Sequence, residues 1–164
     1  MRRRALLAVG AGAATLAGCG FELRRTPPLP FRSIALVGFA PASPLRAVLR
    51  GELERAGVAL RDDHPGQADA VFDALADTRE RTVAASTAAG QVREMQLRVR
   101  LRFRVATPSG KLLLPPSDLL LTRDMSFNET DALAKQQEEA LLYRAMDEDI
   151  VAQVLRRLAA IAPV

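Results

Sequence analysis

One thiol and one imidazole serve the whole chain of 164 residues, so chemistry that needs Cys or His must run through Cys19 or His64. His64 sits in Asp62-Asp63-His64-Pro65, a polar turn. A metal centre needs three or four converging ligands, and two neighbouring carboxylates fall short of that, so the segment reads as a solvated loop. Ser86 and Ser109 lack a Gly-x-Ser-x-Gly elbow, and only one histidine exists to act as their base. No Gly-rich phosphate loop ending in Gly-Lys is present. The carboxylates of Asp147-Glu148-Asp149 fall on a helix whose apolar stripe lies elsewhere, so they are expected on a solvated face. The expectation is a protein that is not an enzyme and carries neither cofactor nor metal.

Cys19 invites a different chemistry. Arg2, Arg3 and Arg4 form a positive head, residues 5–15 are apolar and rich in Ala and Gly, and Leu16-Ala17-Gly18 supplies small residues before the thiol. This is the layout of a secretory signal peptide, and Leu-Ala-Gly-Cys is that of a bacterial lipobox, in which the thiol is diacylated and the chain cut before it. The arginine run leaves Sec and twin-arginine export both open. Two or more acyl chains anchor a protein stably, at roughly 0.8 kcal/mol per buried methylene. Gly20, where Asp would favour retention at the inner membrane, points to the outer membrane. Residues 1–18 are thus expected to be lost. They carry three Arg and no acid, so 20 Lys and Arg then face 19 acids and the net charge falls from +4 to +1. Nucleic-acid binding loses its electrostatic argument.

The unusual constellation is an arginine ladder. From Met95 to Val105, apolar Met95, Leu97, Val99, Leu101, Phe103 and Val105 alternate with Gln96, Arg98, Arg100, Arg102 and Arg104, the period of a strand with one face buried. Guanidinium groups two residues apart on a strand are separated by roughly 6.5 to 7 Å and repel unless something negative intervenes. Acids on neighbouring strands, such as Asp73, Asp77 and Asp124, would satisfy them as cross-strand pairs. The functional alternative is a sheet face that receives phosphates or an acidic partner, groups that Arg binds bidentately.

The ladder needs elements to position it. Thr26-Pro27-Pro28-Leu29-Pro30 reads as a stiff spacer after the anchor, and residues 33–38 as a buried first strand. Ser43-Pro44 opens an amphipathic helix through Leu45, Val48, Leu49, Leu53 and Ala56, stopped by Gly57. Residues 58–60 and 70–76 look like strand segments around the polar turn 61–67. After the turn Thr107-Pro108-Ser109-Gly110, residues 111–114 and 119–127 return as a partner strand, and Pro115-Pro116 marks it as an edge or a bulge. Asn128-Glu129-Thr130-Asp131 caps a last helix to about Ala160, with Leu142, Met146, Ile150, Val154, Leu158 and Ile161 as its apolar stripe. The pattern predicts an α+β fold, two amphipathic helices on one face of a mixed, mostly antiparallel β-sheet, in a two-layer sandwich. The expected organisation is a signal peptide over 1–18, a lipidated N-terminus and Pro-rich spacer over 19–32, and a single domain over 33–164.

Four segments resemble the LptE family: Cys19-Gly20-Phe21-Glu22-Leu23-Arg24, Gly90-Gln91-x-x-Glu94-Met95-Gln96-Leu97, Ala134-Lys135-x-x-Glu138, and Gln153-x-Leu155-Arg156-Arg157-Leu158. The resemblance implies an outer-membrane lipoprotein on the periplasmic face that plugs and helps assemble the LptD β-barrel and binds lipopolysaccharide in transit to the outer leaflet. The alternative from composition is a generic outer-membrane lipoprotein scaffolding another envelope complex. In the family, lipopolysaccharide contact is attributed to a basic residue in the loop before the Gly-Gln strand and to the Lys of Ala-Lys-x-x-Glu. Lys135 matches the second, whereas Ala88 stands at the first, where Arg93 or the ladder residues Arg98, Arg100, Arg102 and Arg104 are the candidate substitutes.

Overall fold

A computed structural model describes residues 28–162. The signal peptide and Cys19 therefore lie outside the described residues, as does the first part of the spacer. Chain order is β1 (Ser33–Val37), α1 (Pro44–Arg55), β2 (Ala59–Leu60), β3 (Ala70–Ser86), β4 (Val92–Ala106), β5 (Leu112–Ser126) and α2 (Ala132–Ala159), with short 3-10 turns at Pro65–Gln67 and Glu129–Asp131. One five-stranded sheet runs β2-β1-β3-β4-β5. β1 pairs in parallel with β2 and β3, while β3, β4 and β5 form an antiparallel meander. Both helices cover one face, as the patterns predicted.

The local reasons are the ones the sequence offers. Ser43 Oγ accepts from the Arg46 N–H at 3.0 Å and Pro44 fills the first helical position, so α1 starts where its missing donor costs nothing. Gly57, at φ +78°, ends it. Leu45, Leu49 and Leu53 then meet Met146, Ile150, Val154 and Leu158 of α2 above Phe72, Leu97, Leu101 and Phe103 of the sheet. Phe103 stacks on Phe72 at 4.7 Å between ring centroids. Each fully buried side chain of this size contributes about 1.5 to 3 kcal/mol. Phe31 is buried too, and Leu29 packs on the same core, so the core begins before β1.

Gly38 is required by its neighbours. It has φ +78°, and a Cβ there would lie 2.4 Å from the Ala74 carbonyl oxygen. β5 is the sheet edge, and between Leu114 and Ser117 two of its residues, Pro115 and Pro116, stand against one of β4, Arg104, a bulge that absorbs both prolines.

One extension goes beyond the sequence reading. β3 continues to Ser86 rather than ending at residue 76, so β4 is paired along its length on both sides. Fifteen residues of β4 span roughly 50 Å, and α1, at roughly 18 Å, shields only one end. α2, at roughly 42 Å, runs along the rest.

Candidate polar face and distal cation site

The register settles where the ladder points. Arg98, Arg100, Arg102 and Arg104 are exposed, while Leu97, Val99, Leu101, Phe103 and Val105 are buried beneath the helices. The arginines thus line the sheet's outer face. Glu80 and Asp73 of β3 stand opposite Arg98 and Arg104, and Asp118 and Asp124 of β5 stand opposite Arg102 and Gln96. With Glu94 at the end of the same row, five carboxylates meet four guanidiniums, so the face carries a net charge of −1.

The pairing is specific. Arg104 Nε donates to Asp73 Oδ2 at 2.9 Å. Arg100 Nε donates to both oxygens of Asp118, at 3.0 and 3.2 Å. Arg100 holds the Asp118 carboxyl below its ordinary range, chiefly through these hydrogen bonds, and its own guanidinium is pushed up in return. Arg98 Nε donates to Gln96 Oε1 at 2.9 Å, and Gln96 passes the contact to Asp124 at 3.0 Å. Arg102 faces Asp118 in register, but that carboxylate leans to Arg100, so Arg102 makes no ion pair among the described residues.

Two of the three acids expected to compensate the ladder do so, Asp73 directly and Asp124 through Gln96. Asp77 does not. A β3 bulge at Leu75 separates Ala74 from Ala76 in the pairing and reverses the alternation. Asp77 therefore falls on the helix side, where its Oδ2 accepts from the Ala40 N–H at 3.3 Å. Asp118 is a fourth acid, and the two register shifts between the hairpin turn and Ser117 set it opposite Arg102.

Beneath the helices lies a second polar set. Asp147 is buried, 2% exposed, and its Oδ2 lies 2.6 Å from Arg79 Nη2. This overturns the solvated reading of Asp147; Glu148 and Asp149 are exposed as expected. Burial pushes the Asp147 carboxyl above its ordinary range despite Arg79. Arg79 also lies over the Tyr143 ring, 4.4 Å from its centroid, and the Tyr143 hydroxyl donates to the Glu80 carbonyl at 2.8 Å. Arg81 pairs with Glu139 at 2.9 Å and Arg123 with Asp149 at 3.4 Å, so inner-face arginines tie α2 to the sheet.

Lys135 is placed at the distal end of the sheet. Its Nζ donates to Ser126 Oγ at 2.9 Å and to Glu138 Oε2 at 2.8 Å. Glu139, the i+4 residue, pairs with Arg81 instead. Ser126 is opposite Glu94, and the Phe127 N–H donates to the Arg93 carbonyl at 2.8 Å, so Arg93 and Lys135 belong to the same end. Arg104 is eleven residues beyond Arg93 along β4, roughly 37 Å away. The candidate cations thus divide into a distal pair and a ladder leading away from it. The β3–β4 turn, with exposed Ala88, closes through Gly90 N–H to Thr87 carbonyl at 2.9 Å.

No cluster of three or more His, Cys, Asp or Glu groups suited to a metal occurs among the described residues. No described helix is long and apolar enough to cross a membrane.

Comparison with known proteins agrees with this architecture. The chain is 30% identical over 162 residues to the LPS-assembly lipoprotein LptE of Photorhabdus laumondii, covering 96% of this chain and 87% of that one. Its fold is similar to the solution structure of lipoprotein B from Nitrosomonas europaea, with a TM-score of 0.70, 26% identity, and coverage of 86% of this chain and 91% of that one. It is also similar to the crystal structure of rare lipoprotein B from Shewanella oneidensis, with a TM-score of 0.63, 26% identity, and coverage of 78% and 94%. The model of the LptE family, described as lipopolysaccharide-assembly, matches residues 31–158, the whole sheet and both helices, and the chain belongs to that family.

Proposed function

We propose that this protein is an outer-membrane lipoprotein, held to the periplasmic face through acyl chains on Cys19, that plugs and helps assemble the LptD β-barrel and binds lipopolysaccharide during its transport to the outer leaflet. The observation that carries the reading is the outer face of β3, β4 and β5. There, guanidiniums and carboxylates alternate at half exposure over roughly 34 Å of strand. A net charge near zero makes it a poor general anion trap. A surface of both signs with unspent donors suits the polar wall inside an outer-membrane barrel, because each guanidinium keeps N–H groups beyond those its carboxylate takes.

Lipopolysaccharide, as a phosphorylated glycolipid, is assigned to the distal end. Lys135 supplies the ammonium, and Arg93, with no ion pair among the described residues, supplies a guanidinium. The ladder is assigned to the barrel, with Arg102 its one member that makes neither a side-chain hydrogen bond nor an ion pair among the described residues.

The test is replacement of Arg98, Arg100 and Arg102 together by Gln. The variant takes the ion-pair partner from Asp118 and the facing guanidinium from Glu80, and the reading expects weaker association with the barrel from a folded protein. Unchanged association would assign the ladder to internal charge compensation alone.

A further inference from the structure

α2 is continuous in hydrogen bonding but not in anchorage. Every buried side chain of this helix, from Tyr143 through Met146, Asp147, Ile150, Val151, Val154, Leu155 and Leu158, lies in its later part. Residues 132–142, about three turns, bury none. Leu133 and Leu141 are 72% and 63% exposed, and Val83, on the β3 end beneath, is 55% exposed. A seated amphipathic helix would cover such groups. Up to its last residue, Leu142, which is half-buried against the core, what holds this stretch is polar: Arg81 to Glu139 at 2.9 Å, and Lys135 to Ser126 Oγ at 2.9 Å. At its boundary Tyr143 is pinned by its hydroxyl on the Glu80 carbonyl and by Arg79 over its ring.

We propose that residues 132–142 form a detachable arm, clasped to the sheet by Arg81–Glu139 and Lys135–Ser126 and hinged at Tyr143, which opens without disturbing the core-anchored part of α2. The one ion pair of this clasp, Arg81–Glu139, keeps contact with solvent, and such a pair holds weakly and is screened by salt. A free helical segment of eleven residues is also too short to persist alone in water, so opening takes the form of local unwinding back to Tyr143. The chemistry of the arm follows from what it carries. Lys135 rides on it, so the ammonium is movable relative to the sheet, and release frees the Arg81 guanidinium from Glu139 on the same strand as the exposed Val83, a cation near an apolar side chain.

Hydrogen exchange of the full chain in detergent, resolved by residue, tests this. Amides of residues 136–142 are expected to exchange roughly tenfold faster or more than those of residues 150–158, as a sub-global opening requires. Arg81→Gln, and separately a rise in NaCl from about 0.05 to about 0.5 M, are each expected to speed exchange in the arm several-fold while leaving residues 150–158 unchanged. That unchanged segment shows that the variant is folded. Equal protection along α2 would overturn the arm. Faster exchange that neither Arg81→Gln nor salt alters would overturn the clasp.

Discussion

Removing Arg79 and removing the charge of Asp147 break the same 2.6 Å ion pair, yet the two losses are not equivalent. In Arg79→Gln the carboxylate left behind is almost wholly buried, and one of its oxygens, Oδ1, has no hydrogen-bond partner. An uncompensated buried charge of this kind costs about 3 to 5 kcal/mol, with about 0.5 to 1 kcal/mol more for the cation lost over Tyr143. In Asp147→Asn the group left behind is a guanidinium whose side chain is 34% exposed and still lies on the Tyr143 ring, so water solvates it and the cost falls to about 1 kcal/mol. A difference of about 3 kcal/mol corresponds to roughly 10 °C in Tm for a domain of this size. The pH dependence gives a second check. Burial raises the folded-state pKa of Asp147 above its unfolded value, so the cost of its charge is fully present above the folded value and is relieved as pH falls toward the ordinary Asp range. Without Arg79 the folded value rises further. The deficit of Arg79→Gln against wild type therefore shrinks on acidification from pH 7, while that of Asp147→Asn does not. Thermal melts of the three proteins between about pH 7 and pH 4.5 read both quantities. Equal losses for the two variants, or an Arg79→Gln deficit that grows in acid, would refute the reasoning.

Three further outcomes are expected. Lys135→Asp lowers lipopolysaccharide binding several-fold at low salt, with a smaller difference at moderate salt and little change in Tm, as read by titration and melting; superimposable binding curves would remove Lys135 from the site. Gly38→Ala forces a positive φ and a 2.4 Å contact with the Ala74 carbonyl, so it lowers stability by more than about 1 kcal/mol, whereas Gly51→Ala, on α1 with nothing within 4 Å, leaves stability unchanged or raised. Cys19→Ser gives unprocessed or unlipidated protein by mass spectrometry; a normal lipopeptide mass from it would exclude the lipobox.

The half of β4 that alternates apolar with Arg was legible because one period set both its pairing and its burial. β3 was legible only as far as residue 76. Beyond that its inward positions are Arg79 and Arg81, which read as surface until α2 supplies Asp147 and Glu139 from more than fifty residues away. The burial of Asp147 had a local signal that went unread: it stands four residues after Tyr143 and three before Ile150, inside the apolar stripe. The bulge at Leu75 had none, and without it Asp73 and Asp77 would share a face. The distal end was legible through Lys135 only because its surrounding motif resembled a family; its contact with Ser126 depends on how β5 turns into α2.

The central claim is most directly tested by solubilising membranes that contain the tagged full chain, purifying the lipidated protein under mild detergent, and identifying what remains bound. The account predicts one large outer-membrane β-barrel, LptD, in near-equimolar yield. Recovery of the folded, lipidated protein without a barrel, or with a different envelope assembly in its place, would contradict it.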